Sequence, residues 1–177
     1  MTRIVRGTAA VLAVFLYGAP AEARPDHLGG IDLAVDAAPW GLFEFEETIG
    51  PSVGVQGAIE LGDGFGFGAL YRGLGDLGGM AGVFGRLAAT PTLMPKKPFL
   101  FWTVDAGFVA GVGGLSGAAI YLHGSGQAGY ATSERFGFVA GLGLTSFVGA
   151  GSTSVSSIQV PVISVGFISR ISGAESE

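Results

Sequence analysis

Between Asp32 and Arg86 the chain sets an apolar residue at every second position, with glycine or a charged residue between, and the same period returns in its second half. The alternation is clearest in residues 99–111. There Leu100, Trp102, Val104, Ala106, Phe108 and Ala110 share one face, while Thr103, Asp105 and Gly107 share the other. Successive side chains of a strand point to opposite sides, so this period predicts strands with two unlike faces. A carboxylate on the second face needs polar surroundings. The pattern therefore calls for a barrel with an apolar skin and a polar interior.

Eight strands can be drawn in this way. In residues 31–36, Ile31, Leu33 and Val35 alternate with Asp32 and Asp36. In residues 52–61, Val53, Val55 and Ile59 face outward and Gln56 and Glu60 inward; a tight turn at 62–64 leads to Phe65, Phe67, Ala69 and Tyr71 outward, with Gly66, Gly68 and Arg72 inward. After a turn-rich loop at 73–79, residues 80–88 set Ala81, Val83 and Leu87 against Phe84 and Arg86. Pro91, Pro95, Lys96 and Lys97 mark 90–97 as a turn, because proline donates no ladder hydrogen bond. Residues 99–111, a weaker 117–123, 136–147 and a 158–171 strand interrupted by Pro161 complete the set. Ten strands is the nearest alternative, should the segment from Trp40 to Glu47 add a pair.

Composition agrees with lipid contact. The 177 residues include 33 glycines, are 49% hydrophobic and only 13% charged, against about 25% charged in ordinary soluble domains. At the start, Arg3 and Arg6 precede a short apolar run and the small-residue frames of Ala19, Ala21 and Ala23. This reads as a signal peptide over 1–23, since about ten apolar residues are too few for a helical span. Its removal takes away Arg3, Arg6 and Glu22 and leaves a net charge of −6. That balance gives no footprint for nucleic acid. There is no cysteine for a disulfide or lipid anchor, and His27 and His123 lie too far apart in sequence for metal-ligand spacing. No cofactor is expected. The acidic cluster Glu44, Glu46 and Glu47 reads as a solvated loop face.

With an export signal, alternating strands and short hairpins, residues 24–171 resemble the small outer-membrane β-barrel proteins of Gram-negative bacteria, followed by a polar tail at 172–177. The resemblance implies a single antiparallel up-and-down transmembrane barrel in the outer membrane, in contact with outer-membrane lipid and lipopolysaccharide. It also implies delivery by the barrel insertion machinery, which in that family reads an aromatic end on the last strand. Here Ile163, Val165, Phe167 and Ile171 share one phase, but Ser169 occupies an apolar slot.

Two residue sets could carry chemistry. Asp32, Asp36, Glu60, Arg72, Arg86, Asp105 and Arg170 all fall on inward phases, as a polar pore lining or as a salt-bridged plug. An eight-stranded lumen is just wide enough for side chains to fill, which favours the plug. Separately, His123, Ser125 and Glu134 are similar to the His-x-Ser and glutamate arrangement of outer-membrane lipid A deacylases, though Gly126 stands where that motif has asparagine. That resemblance implies Ser125 as nucleophile, His123 as general base and Glu134 as its orienting partner. The plainer reading of the segment is a polar turn. A third possibility is a glycine-rich helical inner-membrane protein, built on the uncharged runs 106–122 and 136–151. The reading adopted is a non-enzymatic, porin-like barrel serving envelope structure, surface interaction or limited permeation.

Overall fold

A computed structural model describes residues 27–43, 47–61, 64–89, 91–150 and 157–172. The leader, the 62–63 part of the tight turn, Glu44 and Glu46 of the acidic cluster, and 173–177 of the tail lie outside the described residues. The strands are β1 (His27–Ala38), β2 (Gly41–Phe43), β3 (Glu47–Ile49), β4 (Ser52–Leu61), β5 (Phe65–Gly73), β6 (Gly79–Ala88), β7 (Pro98–Val112), β8 (Ala118–Ala131), β9 (Phe136–Ala150) and β10 (Ser157–Ser172). Neighbours pair antiparallel in the order β1-β4-β5-β6-β7-β8-β9-β10, and β10 pairs back onto β1 to close an eight-stranded barrel.

The stagger follows from the register. From Asp105, one direction passes through Arg86, Gly66, Glu60 and Gly30 to Arg170 on β10. The other direction passes through His123 and Thr145 to Val160 on the same strand. The two ends of this line differ by ten residues, which with eight strands corresponds to a strand tilt of about 40°.

Closure buries one phase of every strand and presents the other to the surroundings. The outward phase carries Ile31, Val53, Phe67, Val83, Phe108, Phe138, Leu142 and Val165, all exposed. Through the paired strands of the wall no Asp, Glu, Lys or Arg of the described residues takes an outward slot. Apolar surface on that scale suits lipid, because water would charge about 25 cal/mol for each Å² of it.

Several boundaries differ from the sequence expectation. β8 does not stop at His123 but runs to Ala131, and β10 passes through Pro161 without a break. The proline is tolerated because β10 pairs with β1 only up to Ile163 and with β2 only at Ile158 and Gln159. Pro161 sits between these stretches, where that edge makes no ladder pairing. The Trp40 to Glu47 segment adds the small β2–β3 hairpin, which continues the sheet beside β10 without entering the closed wall. Runs 106–122 and 136–151, the basis of the helical alternative, lie largely within β7, β8 and β9. Among the described residues, no helix is long and apolar enough to cross a membrane.

The interior is layered. At the end bearing the β1 start and β10 finish, Leu93 of the β6–β7 loop is buried with Phe101, Ala131, Val139 and Ile168. The loop is held in place by hydrogen bonds from Lys96 N to Ala131 O (2.8 Å) and from Ala131 N to Lys97 O (3.0 Å). At the other end, Leu74 and Leu115 from loops join Met80, Tyr121, Phe147 and Ile158. Asp105, Arg86 and His123 lie along the strands between these two layers, while Arg170, two residues nearer the β10 finish than Ile168, lies over Phe101 of the first.

Candidate functional site in the barrel lumen

The period-two geometry of β1, β4, β5, β6, β7 and β10 turns Asp32, Asp36, Glu60, Arg72, Arg86, Asp105 and Arg170 inward, and all seven are buried. The structure brings them together as two groups. In the first, Arg72 on β5 pairs with Asp36 on β1 and donates to Ser52 Oγ at 3.1 Å. In the second, Arg86 meets Asp105 through two parallel bonds, Nε to Oδ1 at 2.7 Å and Nη2 to Oδ2 at 2.8 Å. Its third nitrogen approaches Asp32 Oδ2 at 3.5 Å. Arg170 Nη1 joins the same group, 3.2 Å from Asp32 Oδ1 and 3.0 Å from Glu60 Oε2. The guanidiniums also lie over aromatic rings, Arg86 over Phe84 at 5.2 Å and Arg170 over Phe101 at 5.7 Å.

Glycine makes this packing fit. Arg170, Gly30 and Glu60 are successive register partners, so the ion pair spans a strand whose intervening position has no side chain. A Cβ at Gly30 would come 2.5 Å from Arg170 Nη1. Small barrels fill their lumen by setting small inward residues against large ones.

The arrangement is fully paired at Arg86 and Asp105 and incomplete at Arg170, whose Nε and Nη2 have no hydrogen-bond partner among the described residues. Asp105 is fully buried, and its bidentate partner offsets a desolvation cost of several kcal/mol. Yet four carboxylates face three guanidiniums. Glu60 is the weakest member, since neither of its oxygens makes a hydrogen bond of good geometry with the described residues.

His123, Ser125 and Glu134 do not converge. His123 and Ser125 are inward neighbours on β8, not a polar turn: the ladder from Ala118 to Ala131 continues through Gly124 and Gly126, which take outward slots. His123 Nδ1 bonds Thr145 Oγ1 at 2.9 Å, and Ser125 Oγ bonds Thr103 Oγ1 at 3.0 Å and Gln127 Nε2 at 3.1 Å. Glu134 is exposed in the turn after β8. About 25 Å of strand separates His123 from the end of β8, far beyond the reach of an orienting glutamate. The deacylase arrangement is therefore not assembled.

Some members of the polar interior escaped the sequence reading. Tyr121 donates from its hydroxyl to Gln56 Oε1 at 3.1 Å, and its ring stacks with that of His123 at 6.2 Å. Thr145 and Ser52 are ordinary inward residues whose roles appear only once the register is known, and the register also supplies the partner of Thr103, whose inward phase the sequence shows. Among the described residues, no group of three or more His, Cys, Asp or Glu is arranged to hold a metal ion.

No protein-family model matches the chain, and no curated protein matches it. Solved structures do. The crystal structure of Neisserial surface protein A (NspA) is similar at a TM-score of 0.50 and 15% identity, over 80% of this chain and 97% of that one. The N-terminal β-barrel domain of Pseudomonas aeruginosa OprF follows, with a TM-score of 0.44 and 13% identity over 79% of this chain and 98% of that one. The outer membrane protein OprG from Pseudomonas aeruginosa has a TM-score of 0.39 and 11% identity over 83% of this chain and 98% of that one. At these identities the likeness is one of fold, and it rests on the first of the three.

Proposed function

We propose that this chain is a non-enzymatic outer-membrane barrel whose lumen is a salt-bridged plug, acting in the envelope through its wall and loops. The observation that carries this reading is the layering of the interior. Buried apolar clusters stand at both ends, Leu93, Phe101 and Ile168 at one and Leu74, Leu115 and Phe147 at the other; Arg86 and Asp105 are paired between them, and Arg170 reaches in beside Phe101. An ion crossing such a barrel would meet two apolar constrictions and would have to part guanidinium from carboxylate.

Outward slots of the wall strands that carry no formal charge among the described residues support residence in a bilayer, and strands that close on themselves satisfy the backbone there. The export signal and the fold shared with a Neisserial surface protein favour the outer membrane. Outer-membrane lipid and lipopolysaccharide are then the partners of the wall, and the barrel insertion machinery is the partner of the last strand.

The test is expression of the full chain in a Gram-negative host. The mature protein should lose residues 1–23, fractionate with the outer membrane and migrate differently on gels with and without boiling. Uptake of small hydrophilic antibiotics should be unchanged by its expression. Recovery in the inner membrane would overturn the location, and increased uptake would replace the plug by a pore.

A further inference from the structure

We propose that the lumen wall formed by β8, β9 and β10 binds ordered water, held by His123, Gln127 and Ser164. Three polar atoms there have no hydrogen-bond partner among the described residues: His123 Nε2, Gln127 Oε1 and Ser164 Oγ. Their residues are only 4%, 6% and 2% exposed. None of the three belongs to the ion-pair groups.

They border one stretch of wall. Gln127, Gly141 and Ser164 are successive register partners across the three strands. Gly143 is the next inward position along β9. A Cβ at Gly143 would lie 3.0 Å from His123 Cε1, and one at Gly141 would lie 2.7 Å from Gln127 Cγ. Both side chains therefore lean over a floor that carries no side chains of its own. Their other polar atoms are already engaged, His123 Nδ1 by Thr145 and Gln127 Nε2 by Ser125. One imidazole and one amide are thus each fixed by one bond and left with one unpartnered polar atom.

The chemistry selects the occupant. Buried polar groups are almost always hydrogen-bonded, and leaving three unpartnered on adjoining strands runs against that rule. An apolar guest would leave all three unpaired. A charged guest would need a counter-charge, and Asp36, the carboxylate in register beside Ser164, is already paired with Arg72. Water fits: it donates to the Gln127 carbonyl, exchanges either role with the Ser164 hydroxyl, and meets His123 Nε2 in whichever tautomer the Thr145 bond sets. Buried waters of this kind make about three hydrogen bonds each.

Magnetic relaxation dispersion of water oxygen-17 on the full mature chain, refolded in detergent micelles, tests the site. Wild-type protein should show long-lived internal water, and the double variant Gln127→Leu/Ser164→Val should lose roughly one water equivalent. Both samples must keep a strand spectrum and gel mobility that depends on boiling. Absence of long-lived water from the wild type, or an unchanged signal in a folded double variant, would overturn the proposal. If the double variant does not fold, cross-relaxation between water and the His123 Hε1 proton in the wild type decides: a cross-peak supports the site and none overturns it. Water binding does not depend on the lumen being closed, so steady ion conductance would leave it standing.

Discussion

Asp36 and Arg72 form an ion pair although their strands, β1 and β5, are not neighbours; they meet across Gly54 of the strand between them. A Cβ at Gly54 would lie 2.8 Å from Arg72 Nη2 and 2.8 Å from Asp36 Oδ1. Gly54→Val should therefore lower stability by about 1–3 kcal/mol, the usual cost of overpacking. Gly57→Ala, three residues along on the outward face, has its nearest neighbour at an ordinary 3.4 Å and should be near neutral. Urea denaturation of the two refolded variants gives the comparison. Equal destabilisation would contradict the role assigned to Gly54.

The second prediction separates the carboxylates. Asp105→Asn breaks a bidentate pair at a fully buried site and leaves Arg86 with less compensation, so it should cost about 3–5 kcal/mol. Glu60→Gln removes the carboxylate in excess over the guanidiniums, from a residue with no well-formed hydrogen bond, and should cost under about 1 kcal/mol. The reverse order, read from denaturation midpoints, would mean that Glu60 anchors the network.

The wall supplies a third. Leu142 stands mid-strand on β9 with 67% exposure, and Val104 occupies the same phase of β7. Arg at either position should cost about 2–4 kcal/mol near the bilayer midplane. Stability measured in lipid vesicles with no such loss would place this surface away from hydrocarbon.

A fourth concerns the residues that resemble a deacylase. Because Ser125 bonds Thr103 and Gln127 while Glu134 is exposed beyond the end of β8, Ser125→Ala and His123→Ala should leave the host's lipid A acylation pattern unchanged by mass spectrometry. Deacylation by the wild type that both folded variants lose would make the chain an enzyme.

Much of this was legible in the sequence because a strand's period transmits the inward or outward direction of each side chain whatever its neighbours are. The inward phases of Asp32, Glu60, Arg86 and Asp105 needed only counting. Which charge meets which does not follow, since Asp36 reaches Arg72 across a glycine of the strand between them and Arg170 reaches Glu60 only through closure of β10 onto β1, and neither is a local property. The second half of β8 is hard to read because Gly124, Gly126 and Ala128 take outward slots and erase the apolar signal, so that His123-Gly124-Ser125 reads as a turn. The burial of Leu93 was hidden between Pro91 and Pro95, where the chain has no period to read.

The closed lumen is the centre of the account, and single-channel recording in a planar bilayer tests it most directly. The refolded wild-type barrel, with Arg86 and Asp105 paired between the apolar layers of Leu93 and Leu74, should insert and show no steady ion conductance. A stable conductance from the intact wild-type protein would contradict the plug and make the inward charges the lining of a pore.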